Sequence, residues 1–176
     1  PRPYEPKNQT KLQREAAAWV IETLDELRAP RQHDHVVAVT FQPNRRLGPE
    51  DAPRLRKLVS TWGPRVCEKI LRMNRRTMHR HAAQQPVYLL VYQPGDAGWH
   101  FHGVALVPRR CFPDSLRFDG MKRIWKEVTG GGSLDLDFRP DPYDGQPLPA
   151  PDTPIAPTSS DWREQLEGWA NYMVRK

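Results

Sequence analysis

The chain has 176 residues, 38% of them hydrophobic, and its 27 Lys and Arg against 21 Asp and Glu give a formal charge of +6. That length suits one domain with a real core, and no apolar run approaches the ~20 residues that a membrane span needs. The polar start PRPYEPKNQT has no apolar signal core, and two cysteines, Cys67 and Cys111, with no CxxC pair make neither a disulfide scaffold nor a zinc site, which favours a cytoplasmic setting.

Residues 1–10 read as a flexible tail, and the lack of an initiator Met suggests a processed chain. Residues 11–28 hold helix formers with Ala17, Val20, Ile21, Leu24 and Leu27 on one face, and Ala29-Pro30 stops the helix. The β-branched run 35–41 is a strand, closed by Pro43 and Asn44. Pro49-Glu50-Asp51 opens a helix to about Ser60, Trp62-Gly63-Pro64 breaks or kinks it, and a second helical run reaches about His79. Strands at 86–93 and 99–107 flank the turn 94–98 as a hairpin. A short helix over 119–128, the run Gly130-Gly131-Gly132 and a strand over 133–139 follow. Residues 140–158 form a proline-rich loop, after which Ser159 or Ser160, with Glu164 placed for a capping box, starts a helix through Trp162, Leu166, Trp169, Ala170 and Met173. This order predicts one α+β domain over 1–176: a central antiparallel sheet of four to five strands with helices packed on it, in a ferredoxin-like or RRM-like arrangement.

The sharpest chemical feature is His100-Phe101-His102. Alternation along a strand sends both imidazoles to one face and Phe101 to the other, so the pair can share a divalent cation; two ordinary histidines on a solvated strand are the alternative. Gln93 ends the preceding strand, and the hairpin folds its amide oxygen back beside them. That donor set suits Mg²⁺ or Mn²⁺, with Asp96 a poorer substitute for Gln93. On the last helix Tyr172 has Arg175 and Lys176 one turn away, where they can stabilise a phenolate or a phosphate; otherwise it is a helix tyrosine beside a basic tail.

Between 65 and 80 lie Arg65, Lys69, Arg72, Arg75, Arg76 and Arg80 against Glu68 alone, and Arg109-Arg110 and Lys122-Arg123 add further pairs. Such clusters mark a polyanion partner or a solvated helix face. Trp99 could stack on a base. His33 with His35 is a weaker metal pair, His79 and His81 suit a helix C-terminus, and the triple glycine is no phosphate loop because no Lys-Ser/Thr follows.

Taken together, a strand ending in Thr40-Phe41, the element His100-Phe101-His102 within HFHGVALVP, the segment IWKEVTGGGSLDLDF and a helix bearing Tyr172 resemble, over roughly residues 36–176, the HUH endonucleases of the Rep type. The resemblance implies an enzyme that nicks single-stranded or hairpin DNA at an origin and starts rolling-circle replication of a plasmid or phage, in a bacterial or phage-infected cell. It implies His100, His102 and Gln93 as ligands of Mn²⁺ or Mg²⁺, Tyr172 as the nucleophile that becomes 5′-phosphotyrosine, and Arg175 and Lys176 as its helpers. DNA contacts would come from Trp99, Arg72, Arg75, Arg76, Arg109, Arg110 and Lys122, and partners would include a helicase or host replication proteins, with no membrane. The family often carries an acid where Gln93 stands and Tyr-x-x-Lys where Arg175 occupies the fourth place; Tyr143 is the second choice of nucleophile. A transposase of the same superfamily and a non-catalytic RRM-like nucleic-acid-binding module are the alternatives.

Overall fold

The computed structural model describes residues 10–31, 34–108, 115–137, 170 and 174. The chain divides into two compact units, Pro1–Asp34 with Arg139–Lys176, and His35–Phe138.

In the first unit, helix α1 (Lys11–Arg28) starts on a reciprocal cap. The Gln13 N–H donates to Thr10 Oγ1 at 3.2 Å and the Thr10 N–H to Gln13 Oε1 at 3.0 Å, which satisfies two of the donors a helix start leaves open. Ala17, Val20 and Leu24 are buried, as their spacing predicts, whereas Leu12 and Trp19 are exposed. A 3₁₀ turn over Ala29–Arg31 takes the chain past Pro30, and Arg31 pairs with Asp34 at 2.8 Å. The expected proline-rich loop and final helix lie outside the described residues except for Ala170, which is helical and buried, and Val174.

The second unit contains β1 (His35–Gln42), α2 (Ala52–Lys69), β2 (Val87–Gln93), β3 (His100–Val107), α3 (Ser115–Thr129) and β4 (Ser133–Asp137). The strands form one antiparallel sheet in the order β2-β3-β1-β4. Two β-α-β units, β1-α2-β2 and β3-α3-β4, are therefore interleaved, each placing one of its strands between the two of the other. This is the split arrangement of ferredoxin-like folds, an α+β fold as the element order predicts.

Register decides which side chains meet. Val39 faces Gly103, and Phe41 faces both Phe101 and Leu134, so these residues share one face. On that face Val37, Val39, Phe41, Ala105 and Leu134 pack with Leu55, Trp62 and Val66 of α2 and Met121, Ile124 and Trp125 of α3. Phe41 stands edge-on to Trp62 at 5.0 Å and to Trp125 at 4.9 Å between ring centroids, the geometry aromatic quadrupoles favour. Both indoles have their N–H satisfied: Trp62 donates to the Met121 carbonyl and Trp125 to the Gln42 carbonyl, each at 3.0 Å. Trp62→Phe removes this bond and leaves a cavity where the indole's second ring stood in the core, so denaturant unfolding should show a loss of about 1–3 kcal/mol.

Helix α2 departs from expectation twice. It runs unbroken through Pro64. Pro64 and Ser60 are both on the exposed side, where the carbonyl that loses its donor meets water, while Trp62 and Val66 hold the opposite side in the core. It then ends at Lys69, a decade short of His79. The Ile70 and Leu71 N–H groups both donate to the Val66 carbonyl, and Arg72 turns the chain with φ of 52°. A 3₁₀ segment over Arg75–Gln84, kinked at His81, begins with the Asn74 side chain accepting from the Arg76 N–H. Helix α3 starts a turn earlier than expected and stops at the glycines: Gly130 and Gly131 have φ of 71° and 129°, and the Gly131 N–H donates to the Lys126 carbonyl at 2.8 Å. The triple glycine is thus a helix stop. Among the described residues no helix is long and apolar enough to cross a membrane.

Candidate metal centre

The face of the sheet turned away from α2 and α3 carries the polar residues. His100 lies opposite Gln93, and His102 lies between Val91 on one side and Thr40 on the other, with Asp135 beyond Thr40. Because opposed residues of an antiparallel ladder point the same way, Gln93, His100, His102, Thr40 and Asp135 share this face. All five lie at the end of the sheet where β2 stops and β3 and β4 begin.

Each imidazole is held through its Nδ1. His100 Nδ1 is 3.2 Å from the Gly98 carbonyl oxygen, which can only accept, so Nδ1 carries the proton and Nε2 the lone pair. His102 Nδ1 is 2.9 Å from Thr40 Oγ1. When that nitrogen donates, Nε2 is again the basic one, the pattern in which a histidine serves a metal. The turn before β3 makes room for the first ring: a Cβ on Gly95 would stand 2.5 Å from His100 Cε1. The turn closes on itself, with Gly95 and Gly98 exchanging N–H···O bonds of 3.1 and 3.0 Å.

Gln93 is 5% exposed, and its Oε1 has no hydrogen-bond partner. A buried amide oxygen without a donor costs stability, and a cation held with the two imidazoles would remove that cost. The amide oxygen suits Mn²⁺ or Mg²⁺, whereas imidazole nitrogens are commoner on Zn²⁺, Fe²⁺, Ni²⁺ or Cu²⁺, so the donor set is mixed. Among the described residues no three His, Cys, Asp or Glu side chains are grouped to hold a metal, so the set depends on the amide.

Burial, and then the proximity of His100, pushes the His102 pKa down from 6.5 to about 4. His102 is therefore neutral and able to ligate at pH 7. The unfolded chain takes up this proton near pH 6.5 and the folded chain only near 4, so the folded state binds fewer protons in between. Stability should fall as the pH drops from 6.5 to 4, and His102→Gln should flatten that part of a denaturant-midpoint profile.

Trp99 is placed elsewhere than its position beside His100 suggests. Alternation puts it on the core side, half-buried, with its ring 5.1 Å from that of Tyr92 and its backbone N–H donating to the Leu47 carbonyl at 3.2 Å. Tyr92 in turn donates its hydroxyl to the Gly48 carbonyl at 2.6 Å. Arg72, Arg75, Arg76 and Lys122 are exposed, but on the helix side: Leu71 and Met73 belong to the core beneath α2, and Lys122 is on α3. The structure does not bring these four to the histidines. Asp96 is exposed in the turn, and His79 and His81 are exposed in the 3₁₀ segment. Tyr172, Arg175, Lys176, Arg109, Arg110, Tyr143 and His33 lie outside the described residues.

Sequence reasoning missed Thr40, Gly95 and the Gly98 carbonyl as supports of the imidazoles. The alternation of β1 puts Thr40 on a polar face, but only the β1–β3 register shows that it faces His102. Scans of protein-family models, curated proteins and solved structures found no match to this chain.

Proposed function

We propose that the chain is a metal-dependent DNA strand-transfer enzyme of the HUH type, nicking single-stranded or hairpin DNA and resealing it. The observation that carries this reading is the orphaned, buried Gln93 Oε1 on the same face as two imidazoles whose Nδ1 atoms are both tied down. The split β-α-β sheet and the resemblance of the motifs support it.

His100, His102 and Gln93 would hold Mn²⁺ or Mg²⁺, which when bound supplies Lewis-acid polarisation of the scissile phosphate. Thr40 and the Gly98 carbonyl keep the imidazoles turned toward the ligand position. The resemblance assigns the attack to Tyr172. Its phenolic oxygen bonds to phosphorus and gives up its proton, the bond to the 3′ oxygen breaks, and that oxygen leaves as a hydroxyl once protonated. Arg175 and Lys176 stabilise the charge that gathers on the phosphoryl oxygens. The phosphotyrosine retains the phosphoester bond, so a 3′ hydroxyl can attack it and reverse the reaction. Initiation of rolling-circle replication beside a helicase is the setting the resemblance favours; a transposase would use the same chemistry.

The test is incubation with a labelled, randomised pool of single-stranded and hairpin oligonucleotides. An SDS-stable adduct that forms with Mn²⁺ and does not form when EDTA is present from the start is expected. Binding without any adduct would overturn the enzyme and leave a nucleic-acid-binding module.

A further inference from the structure

The basic side chains concentrate on the side of the sheet opposite the histidines. Residues 52–84 and 115–129, which build the helix layer, hold thirteen Lys and Arg against three Asp and Glu, a charge of +10 where the whole chain has +6. The remaining residues therefore sum to −4. Twelve of those thirteen cations have described side chains, and every one is exposed. Among the described residues the one ion pair in this layer joins Lys69 to Glu127 at 3.9 Å. A field this one-sided is not needed to fold a core, and its self-repulsion opposes folding.

Two features say which polyanion suits it. Eight of the twelve are arginines, whose planar fork matches paired phosphate oxygens. The aromatic side chains of these segments, Trp62, Phe118 and Trp125, are all buried. Single strands are held largely by stacking bases on exposed rings, above all those of Trp, Tyr and Phe, and among the described residues of this layer the exposed rings are the two imidazoles of His79 and His81. Duplex DNA hides its bases and presents phosphates at high density, along a length comparable with the roughly 27 Å of an 18-residue helix.

We infer that the helix layer is a nucleic-acid surface, which binds duplex DNA through its phosphate backbone. The inference does not depend on the cleavage reading, since it uses none of the histidine-face residues.

The experiment is fluorescence anisotropy of the full chain with EDTA present, using a labelled duplex of about 20 base pairs and one of its strands, from about 50 to 200 mM salt. The duplex should bind more tightly than the strand, with a log–log salt slope of about −4 or steeper. Arg65→Glu/Arg76→Glu/Arg123→Glu should weaken duplex binding at least tenfold and flatten the slope, and an unchanged circular-dichroism spectrum and cooperative thermal unfolding should show an intact fold. The same three positions as Gln replace them if the Glu variant unfolds. His100→Ala/His102→Ala should retain duplex binding, which separates this surface from the metal centre. Equal affinity for the single strand, an unchanged affinity after charge reversal, or tighter binding to phosphatidylserine vesicles or polyglutamate would each overturn the inference.

Discussion

Tyr172→Phe is expected to abolish the SDS-stable protein–DNA adduct completely while oligonucleotide affinity stays unchanged. The substitution removes one oxygen and leaves the ring, so it deletes the atom that would bond phosphorus and little else. A phenol has a pKa of about 10 and is a weak nucleophile at neutral pH. Attack therefore requires a polarised phosphate and nearby cations, so loss of the metal at the histidines should abolish the adduct as well, whereas Tyr172→Phe should leave metal binding intact. Tyr143→Phe serves as the control and should keep the adduct. Mass spectrometry of the digested adduct should find the nucleotide on the peptide containing Tyr172. An adduct undiminished in Tyr172→Phe would move the nucleophile to another residue and remove the main link to the Rep-type pattern.

What could be seen in the residues alone was mostly what alternation and short turns determine. The tight turn 94–98 brings two strand ends together, so Gln93 opposite His100 follows from hairpin geometry, and the common face of His100 and His102 follows from the two-residue repeat. The same repeat sends Trp99 to the core side, and proximity in sequence conceals this. Partners across long intervals were not legible. Thr40 and His102 are 62 residues apart and meet only because β3 lies beside β1 in the sheet. The unbroken path of α2 through Pro64 was hidden for a different reason: a local helix breaker is outweighed when buried Trp62 and Val66 anchor the turns on either side of it. The arginine clusters were visible, but which side of the sheet they occupy depends on where α2 and α3 pack.

His102→Ala should weaken Mn²⁺ binding, measured by calorimetry or by the loss of the free-ion electron resonance signal, by more than the ~10–100-fold that removal of an outer-shell partner costs. Thr40→Val should fall within that smaller range, and Thr40→Ser should restore affinity, because the hydroxyl acts only by holding His102 Nδ1. A structural role alone would lower stability and leave affinity intact. Gln93 distinguishes the two roles by sign. Its Oε1 is buried with no hydrogen-bond partner, so Gln93→Leu should raise the stability of the metal-free protein, by about 1–3 kcal/mol if the shape is accommodated, and at the same time weaken Mn²⁺ binding. A residue kept for packing would not trade stability for affinity in this way. If Gln93→Leu leaves Mn²⁺ affinity unchanged, the amide oxygen is not a ligand; if His102→Ala also leaves it unchanged, this face of the sheet holds no metal and the proposed chemistry loses its site.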